Sequence, residues 1–479
     1  MSGFAVACLG FAAMLLLIAM RMPIALAMLV VGCVGYAELN GSHALIYYLR
    51  TNTYSQFASY TLSVIPLFIL MGALAEQSGI AATLFKVAER RLGRIRGGMP
   101  MAVIAACTGF GAICGSSVAT TATFGRAALP ELRRAKVAPG FGTGTIAAGG
   151  TLGILIPPSV VLVIYAITAE QNIAKLFQAA LLPGLLAAIF YCIAIAAVVR
   201  RNPQLAPPLE MAPPSTTPRP VWARPVGGML VTAAALWFFG AAGNVGAILL
   251  AIVGLLLIGA DFAVIPAAGV AVIVVGGIYG GIFTPTEGAA VGAAVMLALG
   301  LLQRTLDRDR IKRALLQTAE TTGMIFLILL GAEVFGAFLA LTRMPMVLAE
   351  TVGQSGLAPY AVICGMLAIY IVLGAVMDEL AMILLTLPVF MPIVLTLDFG
   401  MSHEDVAIWF GILVLVVVGI GLAAPPIGLN VFVINKIAGD VPIVSTYRGV
   451  IPFVIADLIR LAILTAFPIV SLWLVKALN

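Results

Sequence analysis

Gly150-Thr151-Leu152-Gly153-Ile154-Leu155-Ile156-Pro157-Pro158 lies inside an apolar segment, and Gly419-Ile420-Gly421-Leu422-Ala423-Ala424-Pro425-Pro426 repeats its form in the second half of the chain. Two consecutive prolines cannot continue a helix, because each removes a backbone donor and strains the preceding turn. Together with the glycines they are expected to leave peptide carbonyls unpaired at membrane depth. Lipid does not tolerate that, so those carbonyls should face protein or a polar cavity. Corresponding interrupted helices in two halves of a membrane chain point to a secondary transporter's binding site.

Composition places the motif in a bilayer. Of 479 residues, 62% are hydrophobic and 10% charged, and apolar runs of about twenty residues recur from end to end, as a polytopic membrane protein requires. The formal net charge of +6 does not imply nucleic acid. Its Lys and Arg residues fall in short clusters between apolar runs, where topology explains them. Cys8, Cys33, Cys107, Cys114, Cys192 and Cys364 lie within or beside apolar stretches, without CxxC spacing or a nearby His pair. They read as packing residues rather than disulfides or metal ligands. The first apolar run has no basic n-region and reads as a retained span.

Orienting the spans by their basic loops gives one consistent topology with most Lys and Arg inside. Spans at about 3–20 and ending near 38 precede an aromatic outer interfacial segment, 43–60, so residues 1–60 form an N-terminal unit. A first repeat, 61–199, holds a span at 61–79, a re-entrant hairpin at about 100–130 with its tip at Gly115-Ser116-Ser117, a broken helix at 141–168 and a span at 173–199. A full crossing at 100–130 would put Arg133, Arg134 and Lys136 outside. The proline-rich stretch 200–226 reads as a cytoplasmic linker, and 227–303 as four short spans. The second repeat, 315–476, mirrors the first, with a hairpin at about 358–396, a broken helix at 406–435 and a single last span at 449–475. The parity gives the repeats opposite orientation, and Pro183 and Pro452 follow the two prolyl pairs at equivalent places.

The polar residues inside these spans are the candidates for chemistry. Ser116, Ser117, Thr120 and Thr121 beside Gly115 suit either close helix packing or oxygen ligation of a hard cation such as sodium. Helix amino termini at the same tip can meet a carboxylate. Asp378 and Glu379 interrupt the second hairpin, where an unpaired charge is costly; one of them alternatively caps the next half-helix. Asn430 offers a ligand or a packing amide. Thr284-Pro285-Thr286-Glu287 suits a helix start as well as a functional motif. Arg126 either snorkels to the cytoplasm or binds a carboxylate, and Glu333 pairs with a helix or faces a cavity. His43 and His403 have no second His near them. There is no GxxxxGK[ST] loop, so an ion gradient rather than hydrolysis should supply energy, and no motif of an enzyme is evident.

Gly111-Ala112-Ile113-Cys114-Gly115-Ser116-Ser117-Val118-Ala119-Thr120, Pro139-Gly140-Phe141, the run from Gly144 to Ser159, Gly280-Gly281-Ile282-Phe283-Thr284-Pro285-Thr286-Glu287, Gly421 to Asn430, and Tyr447-Arg448-Gly449-Val450-Ile451-Pro452-Phe453 together carry a resemblance. Over nearly its whole length the chain resembles the large membrane subunit of tripartite ATP-independent periplasmic (TRAP) transporters. The resemblance implies an all-helical inner-membrane importer of organic acids driven by sodium. It also implies a soluble periplasmic solute-binding protein and a small membrane subunit as partners, and no cofactor beyond the coupling ion. An elevator mechanism follows from it, in which a transport domain carrying both hairpins and both broken helices slides against a scaffold. Carried over residue by residue, sodium is expected at Gly115, Ser116, Ser117 and Thr151, and at Gly374, Asp378, Glu379, Pro425 and Asn430. The acid is expected beside Ser116, Thr120, Thr151, Pro158 and Pro426. One departure is an apparent extra pair of spans at about 227–260, which suggests an altered contact with the small subunit or a replacement for it. A stand-alone carrier or exchanger of dicarboxylates is the alternative reading.

Overall fold

The computed structural model describes residues 2–208, 265–374 and 377–478. The linker from 209 onward and the extra pair of spans expected at 227–260 lie outside them. The first half comprises α1 (Gly3–Ala19), α2 (Ile24–Asn40), α3 (Ser42–Phe57), α4 (Val64–Ser78), α5 (Ile80–Leu92), α6 (Gly98–Cys114), α7 (Ser117–Arg134), α8 (Pro139–Leu155), α9 (Val160–Thr168) and α10 (Ile173–Arg201). After the gap come α11 (Ile265–Ala271, continued by a π turn at Val272–Gly276 and a last turn at Gly277–Tyr279), α12 (Pro285–Leu302), α13 (Arg308–Thr342) and α14 (Met344–Gln354). The chain ends with α15 (Pro359–Gly374), α16 (Glu379–Thr396), α17 (His403–Ala423), α18 (Leu429–Ala438), α19 (Ile443–Ala466) and α20 (Ile469–Leu478).

Seven described helices are long and apolar enough to cross a bilayer, or eight if α8 and α9, bent by 44° at their break, count as one. The α3 helix buries none of its residues, the behaviour of a helix lying on the bundle rather than in it. At the start of α12, Glu287 N–H donates to Thr284 Oγ1 and Thr284 N–H to Glu287 Oε2, a reciprocal cap that satisfies two otherwise orphaned donors.

The two broken helices form the core. Every residue of α8 from Phe141 to Leu155, and of α17 from Val406 to Ala423, is buried. A helix apolar on all sides is one surrounded by others. Their relative direction can be read from the contacts. Tyr165 donates its hydroxyl to the carbonyl of Ala407 at 2.7 Å, while Thr151 abuts Gly419, so α17 runs antiparallel to α8 and α9. Tyr191 meets Asp457, and Pro183 meets Arg460, so α10 and α19 are antiparallel too. Within each half the pattern is the same: α6 runs parallel to α8 and α15 parallel to α17. Two similarly built units therefore face one another with opposite direction.

Their closest crossing is made without side chains. A Cβ on Gly140 would lie 2.5 Å from the Ser445 carbonyl oxygen, and one on Gly144 2.5 Å from the Gly449 backbone. Backbones of α8 and α19 touch there, the close approach that small residues permit in membranes.

One expectation is corrected. The single last span at 449–475 is instead two helices, because Phe467 turns out of the helical region (φ −127°, ψ 77°) before Pro468. The residue before a proline is sterically pushed from α geometry, and Pro468 has no N–H to continue the ladder.

Candidate functional site

The tip of the first hairpin is a two-residue device, Gly115 and Ser116. Gly115 ends α6 in the left-handed region (φ 66°, ψ 12°), and a Cβ there would lie 2.8 Å from the Pro158 carbonyl oxygen. Glycine is thus required both by the turn and by the broken helix beside it. Its carbonyl accepts from Val160 N–H at 3.4 Å. Ser116 is extended, caps α7 by accepting from Ala119 N–H, and gives its carbonyl to the Thr120 hydroxyl at 2.7 Å. A Cβ on Gly153 would meet the Ser116 oxygen at 2.6 Å, which presses the tip onto α8.

The second tip repeats the design. Asp378 Oδ1 accepts from Leu380 and Ala381 N–H at 3.1 Å each, capping α16 as Ser116 caps α7. Gly421, placed before its prolyl pair as Gly153 is before the first, packs on Gly374, where a Cβ would fall 2.7 Å from its carbonyl carbon. Both prolyl bonds, Pro157-Pro158 and Pro425-Pro426, are cis. The breaks differ in environment: Pro157 and Pro158 are buried, Pro425 and Pro426 exposed. The expected free carbonyls at the second break are engaged, since Tyr447 hydroxyl lies 2.8 Å from the Pro426 oxygen and 2.7 Å from that of Ile427.

Between the tips and the helices α4 and α13 lies a cavity of about 520 Å³. Gly115, Ser116, Asp378 and Glu379 line it, with Val160 at the start of α9 and Leu429 at the start of α18. Four helix amino termini, those of α7, α9, α16 and α18, thus open on one space, and their helix dipoles give it positive partial charge. Glu379 Oε2 is buried without a hydrogen-bond partner among the described residues, an acceptor that a cation would satisfy. Arg126 also lines the cavity and is paired with Glu76 of α4 at 2.6 Å, and Gln317 of α13 donates to the other Glu76 oxygen at 3.0 Å. Of the two sequence expectations for Arg126, the carboxylate contact is the one seen, with Glu76 of this chain as the partner.

Other expected site residues lie elsewhere. Asn430 and Ser117 hydrogen-bond to each other at 2.7 to 3.0 Å, and Asn430 also donates to the Ala147 carbonyl. That knot joins the second broken helix to the first hairpin and to α8. Thr151 is fully buried away from the cavity lining, giving its hydroxyl to Ala148 and meeting Tyr191 hydroxyl at 3.0 Å. Thr120 is fully buried, and neither Pro158 nor Pro426 is among the lining residues. Glu333 faces Tyr48 and Gln56.

Sequence reading missed a buried network. Tyr191 donates to Asp457 Oδ2 at 2.6 Å; Asp457 pairs with Arg460 at 2.7 Å; Arg460 donates to the Pro183 carbonyl at 3.2 Å. Asp457 and Arg460 are 2% and 0% exposed. Opposite charges three residues apart in an apolar span share a helix face, which was the available signal.

Comparison with known proteins adds identity to this geometry. The chain matches the family model described as "Tripartite ATP-independent periplasmic transporter, DctM component" over residues 11–470. It is 34% identical over 415 residues, 86% of each chain, to the C4-dicarboxylate TRAP transporter large permease protein DctM of Pseudomonas aeruginosa. It is 28% identical over 430 residues to the isethionate TRAP transporter permease protein DctMQ of Oleidesulfovibrio alaskensis, spanning 89% of this chain and 60% of that one. The YdaH transporter of Alcanivorax borkumensis has a similar fold, with a TM-score of 0.56 at 15% identity, covering 90% of this chain and 89% of the other.

Proposed function

We propose that this chain, which belongs to the DctM component family of the tripartite ATP-independent periplasmic transporters, imports an organic acid across a bacterial inner membrane on a sodium gradient. It is a multi-pass transporter permease, not an enzyme. The observation that carries the finer reading is the cavity where four helix amino termini meet Asp378 and Glu379. The helix ends favour an anionic cargo. The two acids repel it, unless a cation lies between them. Sodium bound by Glu379, with Asp378 and Ser116 at hand, would cancel that repulsion, so cation and acid each raise the other's affinity. Coupling then needs no hydrolytic step.

The moving body in this reading is the block formed by the hairpins and broken helices. The Ser117–Asn430 knot and the pair between Arg133 and Asp440 join it across the halves. The helices α4 and α13, which wall the cavity on the other side, belong to the scaffold. A periplasmic binding protein delivers the acid, and a small membrane subunit completes the scaffold. C4-dicarboxylates, named for one relative, are the first cargo to test.

Asp378→Asn retains a good helix cap while removing the charge, and Glu379→Gln removes the other. Reconstituted with both partners, each variant should show uptake with a much weakened sodium dependence. Wild-type sodium response in both variants would overturn the reading. Uptake that never depends on an added binding protein would favour a self-sufficient carrier instead.

A further inference from the structure

A second cavity, of about 590 Å³, adjoins the first and is lined by Glu76, Gln77, Thr123, Arg126, Arg310 and Arg313 among others. Glu76 and Arg126 line both cavities, so their ion pair stands where the two spaces meet. Beyond it the charge changes sign. Among the described residues, Arg313 hydrogen-bonds only to the neutral Gln77 side chain, at 3.4 Å. Arg310 donates to the carbonyls of Thr305 and Gln77 and lies 3.9 Å from Asp307. Three guanidinium groups thus share Glu76 and Asp307, whose carboxylate is also engaged in capping α13 through Arg310 N–H at 2.8 Å. These arginines lie on the side that carries the basic loops, the cytoplasmic one.

Resting on the reading of the cargo as an organic acid, we infer that this vestibule is a release station. In it Arg126 exchanges Glu76 for the cargo's carboxylate, and Arg313 receives it. Guanidinium and carboxylate match as paired donors and acceptors. Arg126 is held at one end only: its side chain is 60% exposed, whereas Glu76 is 11% exposed and fixed also by Gln317. The acid that leaves the tip therefore finds an exposed cation already facing its path. Glu76 takes that cation back when the cargo departs. Arg313 borders only the vestibule and reports on it alone.

The experiment measures phenylglyoxal modification of individual arginines by mass spectrometry, on the full chain in neutral-lipid nanodiscs so that no anionic headgroup contributes. Succinate is the probe, and neutral succinamide its control. Succinate at about four times its half-protecting concentration should slow modification of Arg313 about fivefold, by simple occupancy, and succinamide should not. Glu76→Gln, which releases Arg126, should strengthen the protection. Equal Arg313 rates with succinate and succinamide would overturn the inference, as would protection unchanged in Glu76→Gln. Sodium-driven succinate uptake by the unmodified transporter tests the function itself and succeeds or fails separately from these rates.

Discussion

Gly115→Ala isolates the contact between the first hairpin and the first broken helix. Two costs add at this position. An L residue in the left-handed region costs about 1 kcal/mol. The new methyl would also lie 2.8 Å from the Pro158 carbonyl oxygen, a backbone atom that cannot swing aside, and relieving such overpacking costs about 1–3 kcal/mol. Gly79 supplies the control, with nearly the same conformation (φ 77°, ψ 12°) and nothing within 4 Å of its added Cβ. Gly79→Ala should therefore lose about 1 kcal/mol and Gly115→Ala about 2–4 kcal/mol. Thermal unfolding in detergent compares the two, and uptake in proteoliposomes should fall more steeply for Gly115→Ala, because the tip is lifted from Val160 and the cavity edge. Equal destabilisation of the two variants would refute the claimed contact.

Arg460→Met leaves the buried Asp457 carboxylate without its countercharge and should cost about 3–5 kcal/mol, seen as poor yield and a lowered Tm. Asp457→Leu added to it should restore most of the loss, and a double variant no better than the single one would argue against a paired role. Ser117→Ala and Asn430→Ala, combined in a double-mutant cycle, should show a coupling of about 0.5–1.5 kcal/mol; additivity would mean the bond contributes nothing. Glu89, on the surface helix α5, has its carboxyl raised above its usual 4.5 by burial first and by Glu131 second. A raised acid stabilises the fold less as pH climbs through that range, so Glu89→Gln should raise Tm at pH 7 and lose its advantage below about 4.5. A Tm gain independent of pH would contradict that cause.

Much of the architecture is legible in the sequence because it rests on residues that fail at ordinary tasks. Prolyl pairs cannot stay helical, and Gly115 and Asp378 interrupt otherwise apolar runs, so tips and breaks announce themselves locally. What the sequence conceals is pairing at a distance. Nothing in Ser117 names Asn430, and the Glu76–Arg126 pair joins elements 50 residues apart. The Asp457–Arg460 pair was visible as a charge pattern, yet its joining of Tyr191 and Pro183 depends on how α10 lies against α19. Thr151 shows the limit from the other side. It stands in the broken-helix motif, but helical rotation turns it toward Tyr191 rather than toward the cavity. Pro468 was a plain signal, overridden by reading one long apolar run as one helix.

The crossing of α8 and α19 at Gly140, Gly144 and Gly449 has a consequence for inheritance. No side chain larger than a hydrogen fits there, so drift is barred where α8 meets α19. Cavity positions such as Val118, Met324 and Ile325 carry no such veto. Descendants that adopt new cargoes should therefore diversify at the cavity wall while this seam stays fixed, so that specificity can change without disturbing how the two halves pack.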